Sequence, residues 1–140
     1  MSRLRPVDDD LDTGPFFAAA RRGELVVQRC ARCTAVLHVP RQYCRACGSW
    51  ESTWEPQPGR GELYSWTVVA HQVHPAYPTP YTVVLVELPD TGARLIGSLP
   101  GEPALQVGQE MEVWFEELAG GVVQPNWRPL GPETDQSHST

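Results

Sequence analysis

All four cysteines of this 140-residue chain fall in one short stretch, as the pairs Cys30-Ala-Arg-Cys33 and Cys44-Arg-Ala-Cys47 with ten residues between them. Two thiolates that close in sequence can grip one ion from a tight turn, because the turn's backbone N–H groups point at the sulfurs and offset their charge. Two such turns supply a tetrahedral Cys₄ set, the preference of a structural zinc ion. Paired disulfides are the competing possibility. A Cys-x-x-Cys disulfide closes too small a loop to constrain the unfolded chain, and nothing suggests an oxidising compartment. A redox dithiol uses one such pair ahead of a helix, not two flanking a spacer. The doubled spacing therefore predicts a rubredoxin-like zinc ribbon holding structural Zn²⁺ through Cys30, Cys33, Cys44 and Cys47.

The ribbon is expected over 24–54. Glu24-Leu-Val-Val-Gln-Arg29 reads as a strand entering the first knuckle, and the spacer has room for two short strands and a hairpin. Val36, Leu37, Val39 and Tyr43 are its expected apolar centre. Gly48 suits the backbone twist after Cys47, and Thr34 stands at the equivalent place in the first knuckle. Ahead of the ribbon, 1–23 forms an acidic arm and a short helix. Asp12 or Thr13 can cap that helix, Pro15 suits its first turn, Arg21 and Arg22 complement its dipole, and Gly23 stops it. About two turns cannot stand alone, so Phe16 and Phe17 must pack on the body or on a partner.

Glu55-Pro-Gln-Pro-Gly-Arg-Gly61 is the clearest boundary in the chain. Beyond it five strand-like runs follow: 62–71, 81–88, 93–99, 110–117 and 122–127. They are joined by turns, apart from the stiff loop Pro75-Ala-Tyr-Pro-Thr-Pro80. The 14 Pro and 12 Gly disfavour a helical bundle. The expected class is mostly β, with the ribbon followed by a five-stranded OB-fold barrel over 62–130, and 131–140 has nothing to bury and is expected to be a disordered tail.

Several functions are excluded or made improbable by what the chain lacks. All 11 basic residues are Arg, so no lysine can form a Schiff base, and the ribbon takes every thiol. There is no Gly-x-Ser-x-Gly elbow and no phosphate-cradling glycine loop. No apolar run has signal-peptide or bilayer-spanning length, which gives a cytoplasmic expectation with no membrane partner. Residues 21–45 carry a net +5 against −6 for the whole chain, leaving −11 on the remainder: a basic metal module on an acidic body.

The order of parts carries a resemblance. A Phe-Phe helix ends at Arg-Arg-Gly-Glu-Leu; then come Gln-Arg-Cys-x-x-Cys, Pro-Arg, Cys-x-x-Cys-Gly-Ser and a Trp. Gly-Arg-Gly-Glu-Leu-Tyr-Ser-Trp-Thr-Val-Val, Val-Glu-Leu-x-x-x-Gly and Val-Gly-Gln-x-Met-x-Val follow. Over about residues 12–130 this resembles the zinc-ribbon/OB-fold proteins associated with acyl-CoA metabolism, domain family of unknown function thirty-five. Thr34 departs from the Gly that many members carry. The resemblance implies a non-catalytic partner of a thiolase-fold enzyme: a thiolase, a lipid-transfer-protein-like aldolase of steroid side-chain degradation, or a hydroxymethylglutaryl-CoA synthase. It implies a two-plus-two heterotetramer and an acyl-CoA site enclosed jointly with the partner. Candidate partner or CoA contacts are Phe16, Phe17, Arg32, Arg41, Arg45, Tyr77 and Tyr81. Arg forks suit carboxylates and CoA phosphates, and aromatics anchor interfaces.

Two other readings compete. Zinc ribbons and OB-folds also bind single-stranded nucleic acid, and Tyr64, Trp66, Tyr77 and Tyr81 could stack bases. The acidic body would repel a phosphate backbone, so no nucleic-acid partner is expected. His71 and His74 could serve a stand-alone enzyme, but His-x-x-His without a third ligand is a weak metal signal. Trp66, Trp114 and Trp127 are expected in the core or an interface.

Overall fold

The structure, a computed structural model, describes residues 3–131. The expectation for the tail at 131–140 therefore lies outside the described residues, apart from Gly131. One helix, α1 (Gly14–Arg21), precedes seven strands: β1 (Val26–Cys30), β2 (Ser52–Pro56), β3 (Arg60–Val69), β4 (Tyr81–Glu87), β5 (Arg94–Pro100), β6 (Glu110–Glu117) and β7 (Val123–Pro129). The class is mostly β, as expected. Among the described residues no helix is long and apolar enough to cross a membrane.

Helix α1 starts at Thr13 without a side-chain cap. Asp10 instead holds this corner, its Oδ1 accepting the Thr13 backbone N–H at 2.6 Å and the Thr13 hydroxyl at 2.8 Å. Those bonds hold the Asp10 carboxyl below its ordinary range, the Thr13 backbone N–H having the largest effect. Gly23, at φ 76°, ends the turn that follows. The arm ahead of the helix folds back onto the protein, with ion pairs Arg21–Asp8 and Arg3–Glu116, each at 3.2 Å.

The five barrel strands pair antiparallel in the order β5-β4-β3-β6-β7, and β5 and β7 come side by side to close the circuit. This is the OB arrangement, with a core of Leu63, Val84, Val86, Leu95, Leu99, Met111 and Trp127. The closing seam has no backbone ladder. Asn126, buried on β7, accepts the Ser98 N–H of β5 through its Oδ1 at 2.8 Å, and donates through Nδ2 to Glu116 at 3.2 Å. Gly97 allows the approach: a Cβ there would lie 2.7 Å from Asn126 Oδ1 and 2.9 Å from the Trp127 backbone nitrogen.

The ribbon corrects the expectation for its spacer. No hairpin forms between the knuckles. Strand β1 pairs instead with β2, beyond the second knuckle, in the register Val26↔Pro56 to Cys30↔Ser52. The spacer contributes one bridge, Arg29↔Val36, and is otherwise held by a side chain. Buried Gln28 donates to the Arg41 carbonyl at 2.8 Å, accepts the Arg41 N–H at 2.9 Å and donates to Ser52 Oγ at 2.9 Å. A primary amide can satisfy both groups of one peptide position as a strand would, so no second strand is needed. Val39 and Tyr43 are exposed, at 63% and 47%, and do not form the ribbon's centre; Leu37 does, against Cys30 and Cys44. Val36 packs instead on the barrel core, where Leu25, just ahead of β1, and Val27 of β1 also sit. The proline-rich linker is correspondingly short, because Glu55 and Pro56 end β2 while Arg60 and Gly61 start β3.

Candidate metal centre and apolar cavity

Each knuckle is the same turn built twice. In the first, Thr34 N–H donates to the Cys30 carbonyl at 3.1 Å; in the second, Gly48 N–H donates to the Cys44 carbonyl at 2.8 Å. Both turns place that fifth residue at positive φ, 67° for Thr34 and 81° for Gly48. Thr34 thus adopts the glycine conformation at a steric cost of about 1 kcal/mol. The turns aim N–H groups at sulfur: Arg32 and Cys33 at Cys30 Sγ, both 3.4 Å, and Ala46 at Cys44 Sγ, 3.3 Å.

All four sulfurs lie within 4.8 Å of one another, and the pairs Cys30–Cys47 and Cys33–Cys44 are 3.6 Å apart. Disulfides would need about 2.05 Å. A tetrahedron of thiolates around zinc at about 2.3 Å has edges of about 3.8 Å, so the residues present fit the ion. The Cys33 and Cys47 N–H groups respectively are the main cause of lowered thiol pKa at Cys30, to about 6, and at Cys44. Cys33 receives the Ala35 N–H, which lowers its value. Its neighbour Cys44, burial, Cys47 and Cys30 together outweigh that and push it up to about 11. Four thiolates cannot share this volume without a cation. Zinc would supply that charge and pin the two knuckles together.

A second feature lies on the outer face of the barrel. A cavity of about 1010 Å³ opens between α1, the 38–40 segment, the 76–81 loop and strands β4, β5 and β7. It gathers Phe16, Phe17, Tyr77 and Tyr81 from the sequence candidates, with the two Tyr rings 6.1 Å apart. The arginine candidates are placed elsewhere. Arg32 and Arg45 project from the knuckles to solvent, and Arg41 is half-buried with its backbone clamped by Gln28. The cavity also takes in Trp114, and His38, Ile96 and Glu116, which sequence reasoning missed. The available signal is β4: its run Tyr-Thr-Val-Val-Leu-Val has no polar alternation, the pattern of a strand covered on both faces, which the sequence reading did not use. Thr82, Val84 and Val86 are buried, while Tyr81, Val83 and Leu85 line the cavity. Trp127 is fully buried, Trp114 half-buried and Trp66 exposed at 37%; Trp66 is therefore not core.

His71 is exposed. His74 accepts the Ala76 N–H on Nδ1 at 3.0 Å, which makes it a brace of the proline loop. Among the described residues the four cysteines form the one cluster of three or more His, Cys, Asp or Glu able to hold a metal.

His38 beside the cavity is half-buried, and burial pushes its imidazole below the ordinary value. The folded state therefore favours the neutral ring. That stability is complete above the unfolded value near 6.5 and is lost as pH falls through the lower folded value. The melting temperature of zinc-loaded protein should fall between pH 7.5 and 5, and His38→Phe should flatten the part of that slope not due to metal loss. An identical slope in the variant would remove His38 from the account.

These features have counterparts in known proteins. Residues 17–51 match the ChsH2 rubredoxin-like zinc ribbon domain, and 54–116 the ChsH2 C-terminal OB-fold domain. A chain of the solved Ltp2-ChsH2(DUF35) aldolase is 35% identical and superposes with a TM-score of 0.79, over 91% of this chain and all of that one. The chain belongs to the ChsH2 (DUF35) family. A second structure of the family, from Sulfolobus solfataricus and of unknown function, is 16% identical with a TM-score of 0.55 over 79% of this chain and 82% of its own, which shows the shared fold. The probable enoyl-CoA hydratase alpha subunit of Thermomonospora curvata is 35% identical over 126 residues, 89% of this chain. This ChsH2-family chain spans 39% of that relative's length.

Proposed function

We propose that this chain is a non-catalytic subunit that binds a thiolase-fold enzyme, a thiolase or a lipid-transfer-protein-like aldolase, and helps form its acyl-CoA site. The observation that carries this reading is the 35% identity to a chain of the Ltp2-ChsH2(DUF35) aldolase over that chain's whole length. The enoyl-CoA hydratase name of a second relative supports the acyl-CoA class. The chemistry agrees: no lysine is present, and the thiols form a metal set. The reading extends to a two-plus-two heterotetramer acting in lipid or steroid side-chain degradation in the cytoplasm. Cyclic symmetry of the enzyme dimer would present two equivalent docking sites.

The partner surface we propose is the mouth of the apolar cavity, with Phe16, Phe17, Tyr77 and Tyr81, extended by Arg32, Arg41 and Arg45 on the ribbon. Ile96 is 69% exposed in this region, an apolar side chain of the kind an interface covers. The affinity-tagged chain, expressed in its native host, should co-purify with a thiolase-fold enzyme identifiable by mass spectrometry. The two should reconstitute from purified components at equal stoichiometry, and the chain alone should not turn over acyl-CoA thioesters. Tyr77→Ala with Tyr81→Ala should weaken the reconstituted complex by at least about tenfold, as loss of aromatic anchors does, while leaving zinc content unchanged. Wild-type affinity in that double variant would remove the loop from the interface. Failure to recover any thiolase-fold enzyme would sink the subunit reading.

A further inference from the structure

Strand β3 outruns one of its neighbours. It pairs with β6 only over Arg60–Glu62, and Leu63 then exchanges backbone bonds with Gly108 and Gln109, both at 2.9 Å. From there to Val69 the strand pairs with β4 alone, which leaves its other edge open. The register assigns the groups on that edge. Leu88 N–H donates to the Ala93 carbonyl at 2.8 Å, and the Pro80 carbonyl accepts the Gly101 N–H at 3.1 Å. Even-numbered residues of β4 therefore turn their backbone groups to the β5 side, and Tyr81, Val83 and Leu85 turn theirs to β3. Their partners there are Val69, Thr67 and Ser65, so Trp66 and Val68 point N–H and C=O outward. Among the described residues no strand, turn or side chain meets them on that side.

Native proteins guard an open edge with charge, proline or a covering segment, because it templates further pairing. None of these guards 64–69; Tyr64, Ser65, Trp66 and Thr67 are exposed, and the strand's bulge lies at the start, between Leu63 and Ser65. No Asp, Glu, Lys or Arg occurs from Leu63 to Val86, in a chain with 11 basic and 17 acidic residues. We infer that two copies of this chain pair antiparallel through this edge, about a two-fold axis at Thr67. The occupant is a strand, because extended backbone alone offers N–H and C=O at every second residue. A second copy suits it because an antiparallel strand set against itself is self-complementary and closes as a dimer. The uncharged run lets two chains of net charge −6 meet here without opposed like charges. Outward residues must face outward residues, which fixes the register. Centring on Thr67 sets Trp66 against the second copy's Val68 and satisfies both, whereas centring on Trp66 or Val68 satisfies one of them. It also gives aromatic–β-branched pairs beside the axis and a Thr–Thr pair on it. The inference is independent of the enzyme-partner reading, which concerns the cavity mouth.

The test uses the full zinc-loaded chain without any enzyme. Sedimentation from about 1 µM to about 1 mM should follow a monomer–dimer equilibrium, the range a small interface calls for. Added salt should not weaken it, since no ion pair is involved. Residue-resolved amide exchange should slow at Trp66 and Val68 as the dimer fills, whereas Thr67, bonded to β4, is protected in the monomer too. Thr67→Lys should weaken the dimer at least about tenfold, by setting like charges opposite each other, with the monomer's melting temperature kept. Thr67→Cys should cross-link under oxidised glutathione with zinc still bound, because non-hydrogen-bonded partners stand about 4.5 Å apart. Ser65→Cys should not, since its two copies lie about 13 Å apart along the strands. A chain that stays monomeric at every concentration would overturn the inference and leave the edge to a strand of another protein. A dimer that Thr67→Lys leaves intact, or cross-linking at 65 rather than 67, would overturn it as well. If Thr67→Lys does not fold, amide exchange and the cysteine variants decide. None of these results bears on the enzyme-partner reading, because no enzyme takes part.

Discussion

Cys44→Ser should reduce bound zinc from about one ion per chain to almost none and melt the ribbon while the barrel survives. Cys44 is 1% exposed, and its sulfur accepts the Ala46 N–H. The apolar cluster around it, Cys30 and Leu37 with Ala35 and Cys47 packed against it, is too small to hold two knuckles together. Metal supplies what the cluster lacks, with apparent binding free energies of about 10–16 kcal/mol for comparable zinc modules. The melting has a boundary. Leu25 and Val27 pack into the barrel core, so residues 25–27 should keep their hold there while 28–51 loses hydrogen-exchange protection. Elemental analysis and exchange on the same sample check both halves. Stoichiometric zinc in the variant would refute the ligand set, and iron in place of zinc in the wild type would not, since a Cys₄ site accepts either. Global unfolding of the variant would refute the boundary.

Gly97→Val should destabilise the barrel by about 3 kcal/mol, the upper range for forced overpacking. The added Cβ would meet Asn126 Oδ1 at 2.7 Å and the Trp127 backbone nitrogen at 2.9 Å, and backbone cannot step aside as a flexible side chain can. A barrel of this size should lose roughly 12–24 °C in melting temperature, at about 4–8 °C per kcal/mol. Asn126→Ala attacks the same seam chemically, orphaning the Ser98 N–H and the Glu116 contact for about 1–3 kcal/mol. The two changes share a partner and should combine to less than their sum. Denaturant melts of the three variants give the coupling. An unperturbed Gly97→Val protein would mean that β5 and β7 do not close the barrel as described.

The metal centre could be read from the chain because it is local. Two Cys-x-x-Cys turns place their sulfurs by local backbone geometry, within 30–34 and 44–48, and tertiary packing only brings the turns together. The five barrel strands were legible for a related reason, since aromatic and β-branched runs between Gly- and Pro-rich turns leave few alternatives. The spacer was not legible. Whether 34–43 forms a hairpin depends on Gln28, whose amide satisfies Arg41 across 13 residues and does a strand's work with one side chain. β2 was likewise hidden, because Ser-Thr-Trp-Glu-Pro is extended only by pairing with β1. The candidate partner residues divide the same way. Sequence singled out Phe16, Phe17, Tyr77 and Tyr81 as aromatics in need of contacts, but only the fold sets them around one cavity and sends Arg32 and Arg45 elsewhere. That Arg3, His38 and Trp127 meet at this cavity had no sequence signal at all. They come from an arm, a ribbon spacer and a last strand, and nothing local to any of them determines that all three line the same space.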